Sequence, residues 1–168
     1  MFLKNYTSEV PKSTTILRIQ QTLLKAGVRS IEMEYGPTGE VAAITFKIQI
    51  DEHRNIPVRM PADVEAAQQA LWLDYVGGEK LSPDGSCCYS SYKKKRRKDF
   101  LEQGERTAWR LVQDWIEVQL SMIQLRQADP VQVFLPYVWD GRQTFFQRLK
   151  DSGFKALMPP SDRVEVVS

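Results

Sequence analysis

Val41-Ala42-Ala43-Ile44-Thr45-Phe46-Lys47-Ile48-Gln49-Ile50 decides the fold class. Ala42, Ile44, Phe46, Ile48 and Ile50 fall on one side of an extended chain, and Val41, Ala43, Thr45, Lys47 and Gln49 on the other. Successive side chains of a strand point to opposite faces, so the alternation predicts a strand with one buried face. Upstream, Ile31, Met33 and Tyr35 alternate with Ser30, Glu32 and Glu34, and Gly36-Pro37-Thr38-Gly39 supplies a turn between the two runs. Downstream, Asp51 to Asn55 is a polar loop, after which Ile56, Val58 and Met60 alternate with Pro57 and Arg59. Proline brings no donor to a ladder, so this third strand is expected to be short and at an edge. Three strands joined by short turns make an antiparallel meander.

One sheet cannot cover its own apolar face, so helices must do it. Pro11 and Ser13 to Thr15 start the first, which runs to about Ala26 with Ile16, Ile19, Leu23 and Leu24 as its stripe and Gly27 as its stop. Pro61-Ala62-Asp63 opens the second, capped by Asp63. Its stripe is Val64, Ala67, Leu71 and Tyr75 with Trp72 beside it, and Gly77-Gly78 ends it. A long helix follows from about Asp99 to Ala128, with Leu101, Ala108, Leu111, Val112, Trp115, Val118 and Met122 at helical spacing. Glu102 with Arg106 and Arg110 with Asp114 are i,i+4 pairs. Gly104 should weaken the first turns by roughly 1 kcal/mol relative to Ala, which moves the expected start of the firm helix towards Glu105. Trp109, Ile116 and Leu120 widen the stripe beyond what one contact needs. They are assigned to an interface, with a homodimer as one assembly that would use it; Trp109 as an ordinary core residue is the alternative. Asp129-Pro130 stops this helix, Val131 to Trp139 is an extended segment or a short helix with a turn, and Phe145, Phe146 and Leu149 anchor a last short helix. The expectation is a single α+β domain over 1–168: a three-stranded antiparallel meander flanked by helices, with the long carboxyl-side helix on the same core. Residues 77–98 form an irregular basic loop and 161–168 a tail.

Much chemistry is missing. His53 is the only histidine, and the two cysteines, Cys87 and Cys88, are neighbours that staple no loop. No phosphate-cradling loop, nucleophile elbow or dinucleotide fingerprint is present. Glu32 and Glu34 share a strand face, but cross-strand pairing with Lys47 accounts for them without a metal. No catalytic residue, metal site or cofactor is assigned. The amino terminus lacks the apolar run of a signal peptide and no stretch is long enough to span a bilayer, so a cytoplasmic setting and no membrane contact are expected.

The whole chain carries net +2, and six consecutive cations, Lys93-Lys94-Lys95-Arg96-Arg97-Lys98, account for more than all of it. A field concentrated in this way attracts a polyanion. Tyr92 precedes the run, and Arg106 and Arg110 extend the field along the helix. The expected partner is nucleic acid, DNA or RNA, held through its phosphates; an acidic protein surface is the other partner such charge fits. Six like charges are disfavoured at a helix amino terminus, where the dipole favours anions, so the run is expected in loop or against a neutralising partner.

The helix–three strands–helix order over Ser13 to Val76 resembles the topology of the double-stranded RNA-binding domain. That family places a lysine cluster at the start of its second helix; here the matching stretch, Pro61-Ala62-Asp63-Val64-Glu65, is acidic, so only topology carries over. Tyr6-Thr7-Ser8-Glu9-Val10-Pro11, Glu105-Arg106-Thr107-Ala108-Trp109-Arg110 to Asp114-Trp115, and Val133-Phe134-Leu135-Pro136-Tyr137 resemble segments of a family of small phage and bacterial mobile-element proteins without assigned chemistry. That resemblance implies a bacterial or viral setting and a role near DNA or host-defence machinery. The functional expectation is a non-enzymatic, nucleic-acid-associated accessory protein. A protein-interaction module, such as an inhibitor or assembly subunit, is the second class, and an enzyme of unrecognised type the third.

Overall fold

The structure, a computed structural model, describes residues 3–78 and 95–159. Its elements are α1 (Lys12–Lys25), β1 (Ile31–Tyr35), β2 (Val41–Gln49), β3 (Asn55–Pro61), α2 (Val64–Gly78), a 3-10 turn (Arg97–Phe100), α3 (Leu101–Gln124), α4 (Pro130–Phe134), a second 3-10 turn (Leu135–Tyr137), α5 (Phe145–Asp151) and a third 3-10 turn (Lys155–Leu157). The fold is α+β. The described residues gather into two compact units: one runs up to Lys25 and from Ala62 to Val118, the other covers Ala26–Pro61 and continues from Gln119.

The second unit holds the meander. Strand order is β1-β2-β3, with both neighbours antiparallel to β2. Ile44, Phe46 and Ile48 are buried as the alternation requires, whereas Ile50 lies beyond the strand and is exposed. Pro57 is on an edge strand as expected, and the chain caps that edge: Val58 bridges Val138, and the Trp139 N–H donates to the Pro57 carbonyl at 2.9 Å. The glycine-rich turn closes through the Gly36 N–H to Glu40 carbonyl bond (2.8 Å), with Gly39 at φ +83°. Val131 to Trp139 is a short helix and a turn; Asp129 caps α4 by accepting the Val131 and Gln132 N–H groups at 2.8 and 3.3 Å.

In the first unit, Ile16, Ile19 and Leu23 of α1 are buried, but Leu24 is 58% exposed and does not join the stripe. Gln103, Thr107 and Asp114 share a face of α3 and hold the amino-terminal segment against it. Gln103 donates to the carbonyls of Tyr6 (2.7 Å) and Ser8 (3.1 Å), Thr107 donates to that of Asn5 (3.3 Å), and Asp114 receives Lys4 (2.7 Å) and the Asn5 amide (3.0 Å). Lys12 pairs with Glu105. Two segments quoted above, around Tyr6–Pro11 and Glu105–Trp115, thus meet side by side.

Gly104 is buried where α3 crosses α2. A Cβ there would lie 3.1 Å from both the Cβ and the backbone nitrogen of Gln68. The expected weak first turns are the site of a close helix crossing, and α3 starts at Leu101 in spite of the glycine. The long helix ends at Gln124, short of Ala128, because Arg126 turns left-handed (φ +58°) and the Gln127 N–H closes back on the Met122 carbonyl. Of the residues expected in the basic loop over 77–98, Gly77 and Gly78 belong to α2 and Arg97 and Lys98 to the turn before α3, while 79–94 lie outside the described residues. The expected tail, 161–168, lies outside the described residues.

Candidate functional site

Lys95, Arg96, Arg97 and Lys98 are all exposed and form the entry to α3. Tyr92, Lys93 and Lys94, like Cys87 and Cys88, lie outside the described residues. The entry is fastened to α2. The Gln68 amide donates to the Arg97 carbonyl (3.0 Å), and the Arg97 guanidinium meets Glu65 at 3.1 Å. Asp99 turns the chain into the helix by accepting the Arg96 N–H at 2.7 Å, while its own N–H goes to the Arg96 carbonyl at 2.8 Å. Asp99 and Glu102 thereby supply the negative charge that the positive end of the helix favours.

Three rings close the joint. Trp72 and Tyr75, three residues apart on α2, have centroids 6.0 Å apart; Phe100 stands 6.1 Å from Trp72 and 5.4 Å from Tyr75. All three are half-buried. The Lys95 ammonium lies 5.6 Å from the Phe100 ring centre, and the Lys95 backbone nitrogen is 3.5 Å from the Tyr75 hydroxyl. Among the described residues Arg97 alone of the four cations has an anionic partner, and that pair is open to solvent, where such contacts are worth about 0–1 kcal/mol. Among the described residues none forms an ion pair with Lys95, Arg96 or Lys98.

Arg106 and Arg110 do not extend this field as expected. Both expected helical pairs form: Arg106 meets Glu102 at 2.7 Å, and Arg110 meets Asp114 at 3.2 Å and the Gln113 amide oxygen at 3.2 Å. Arg106 faces Glu102, Arg110 shares Asp114 with Lys4, and among the described residues the buried Arg106 Nε has no hydrogen-bond partner. Partial burial pushes the Asp114 carboxyl up, but Lys4, Asn5 and Arg110 outweigh it and hold it below its usual range. The residues assigned to an interface lie elsewhere than expected. Trp109 is 1% exposed and Ile116 0%, both inside the chain itself; Leu120 is half-buried. Trp109 is a core residue.

Other candidates resolve into structure. His53 sits in a turn built on Asp51, which accepts the His53 and Arg54 N–H groups at 3.0 and 2.8 Å. Glu34 does not pair with Lys47. Arg59 reaches over β2 from β3 and binds it with two bonds of 2.7 and 2.8 Å, holding its carboxyl below the usual range, and lies 4.9 Å from the centre of the Trp139 ring. The register explains the change: Ala43 and Thr45, between Glu34 and Arg59, are small, while Lys47 sits beyond Glu32 near Ser30. Among the described residues no group of three or more His, Cys, Asp or Glu side chains is placed to hold a metal ion.

A cleft of about 540 Å³ opens in the sheet-bearing unit. Its apolar wall includes Phe46 and Phe134, which meet edge-on at 5.4 Å, and its rim carries Arg29 and Lys47 against Glu52. The volume suits a small molecule, but a rim of both signs selects no ligand charge. The α2–α3 entry, with one sign of charge beside a ring cluster, is the more specific arrangement.

Sequence reasoning did not bring Trp72, Tyr75 and Phe100 together. The available signal was Phe100 two residues after the cationic run; the contact with α2 is non-local. Comparison with known proteins gives no family model, no curated protein and no solved structure that matches the chain. No helix among the described residues is long and apolar enough to cross a membrane.

Proposed function

We propose that this protein is a non-enzymatic accessory factor that associates with nucleic acid through its phosphates, using Lys95, Arg96, Arg97 and Lys98. The observation that carries this reading is four consecutive exposed cations held on α2 by the Gln68–Arg97 bond, three of them without an ion pair among the described residues. A cation that is already neutralised releases little counterion on binding, whereas no described carboxylate pairs with these three. A cytoplasmic location and the mobile-element setting implied by the resemblance belong with this reading. Binding of a labelled oligonucleotide, followed by anisotropy over a range of salt, tests it. Affinity should fall as salt rises, and replacing Lys95, Arg96 and Lys98 with Ser should flatten the log–log slope by about 2–3 with an unchanged melting temperature. Binding indifferent to salt, or unaltered in that variant, overturns it. Arg97 is kept in the variant because it is tied to Glu65 and Gln68.

A further inference from the structure

Beyond phosphate attraction, and resting on that reading, we infer that this face takes unpaired nucleotides, with the Trp72–Tyr75–Phe100 cluster as the surface on which a base stacks. The cations and the rings occupy one place. Lys95 joins the two, its ammonium lying 5.6 Å from the centre of Phe100 and its backbone nitrogen 3.5 Å from the Tyr75 hydroxyl. Arg96 to Lys98 lead directly into Phe100, so a strand whose phosphates follow these residues carries its bases past the rings.

Half-burial gives the cluster both things a stacking surface needs. The rings hold one another at 5.4 to 6.1 Å, so their orientation is fixed before any base arrives, and part of each remains open to solvent. In a duplex the base faces are already stacked inside, out of reach of a protein ring. A single strand presents them, and base–aromatic stacking tolerates any sequence because every base has a π-face. The Lys95–Phe100 contact is exposed and weak. A base can take its place on Phe100 while the ammonium moves to a phosphate.

The rings also have a purely structural role to play, in seating the turn on α2, and the experiment must separate the two. Anisotropy is measured at one low salt concentration with three labelled probes: an oligothymidylate, an abasic strand with the same number of phosphates, and a duplex of that length. Wild type should bind the oligothymidylate more tightly than the abasic strand by about tenfold for each stacked base. Tyr75→Leu should bring oligothymidylate down towards the abasic level, and Tyr75→Phe, which keeps the ring, should restore the preference for the intact strand. Equal affinity of wild type for intact and abasic strands overturns the stacking inference and leaves the phosphate reading standing. Tighter binding of duplex than of oligothymidylate also overturns it. Binding to none of the probes overturns both. The abasic comparison uses wild type alone, so a misfolded Tyr75→Leu does not shield the inference.

Discussion

Replacing Gly104 with Ala and, separately, with Val measures how closely α3 and α2 approach beneath the basic entry. Ala favours a helix interior over Gly by about 1 kcal/mol, and Val recovers roughly a third of that. An isolated helix would therefore be stabilised by both. Here the added Cβ would stand 3.1 Å from the Cβ and nitrogen of Gln68 and 3.2 Å from its Cα, all on or next to the backbone of α2. Backbone in a helix cannot swing aside like the end of a lysine. Ala is accommodated by a shift of a few tenths of an ångström, which offsets its propensity gain and leaves stability within about 0.5 kcal/mol of wild type. Val adds two methyl groups to the same gap and should cost about 2 kcal/mol, within the usual 1–3 kcal/mol of overpacking. Urea unfolding, with the slope checked for constancy, reads both values. The Val variant should also lose oligonucleotide affinity, because it pushes on the residue whose amide holds the Arg97 carbonyl. A gain of the full 1 kcal/mol in the Ala variant, with Val no worse than wild type, would falsify the close crossing.

Trp109→Ala should destabilise the protein by about 3–5 kcal/mol, as for a fully buried aromatic, with the mass by light scattering unchanged. A stable variant of lower mass would return Trp109 to an interface. Asp140 is held at about 2, by the N–H groups of Gln143 and Arg142 and then by Arg148, so its folded value lies below the unfolded value of about 3.9. Its contribution is therefore complete above pH ~4 and disappears as pH falls through about 2. The gap in urea midpoint between wild type and Asp140→Asn should close over that window, and a gap that persists at the acid end counts against this cause.

What the sequence made legible is local. The period-2 run of β2 identifies a buried strand face because alternation is set residue by residue. Pro57 marks an edge because a missing donor has the same consequence in any sheet, and Glu102–Arg106 and Arg110–Asp114 form because a helix places i and i+4 together. Glu34 went to the wrong cation for the opposite reason. Its partner depends on strand register and on which β2 side chains are small enough to be crossed, and neither is visible within β1. Trp109 was misplaced because an apolar stripe is a poor guide to a helix that also buries polar groups. Thr107 and Gln113 are buried on α3, one bonded to Asn5 and the other to Arg110 and Glu117, so the buried arc is wider than the apolar count suggests.

The same distinction applies to the candidate site. Charge is legible without structure, since six adjacent cations make a field in any conformation, but where they sit relative to the helix is not. The helix dipole disfavours them at the positive end of α3, yet Arg97 and Lys98 lie in the 3-10 turn that leads straight into it. Asp99 in that turn, Glu102 in the first turn of α3 and Glu65 from α2 make this tolerable, and among the described residues only Arg97 of the run is ion-paired. The arrangement has a physical cost that the fold alone does not require. Four exposed like charges at the wrong end of a helix repel one another and oppose its dipole. An incoming phosphate removes both penalties at once, so binding should stabilise the entry to α3 as well as the complex. Amide exchange at Asp99 to Leu101 should then slow when oligonucleotide is added, and by less in the variant lacking Lys95, Arg96 and Lys98. Exchange that ignores saturating oligonucleotide would separate binding from this turn and send the search for the contact elsewhere on the chain.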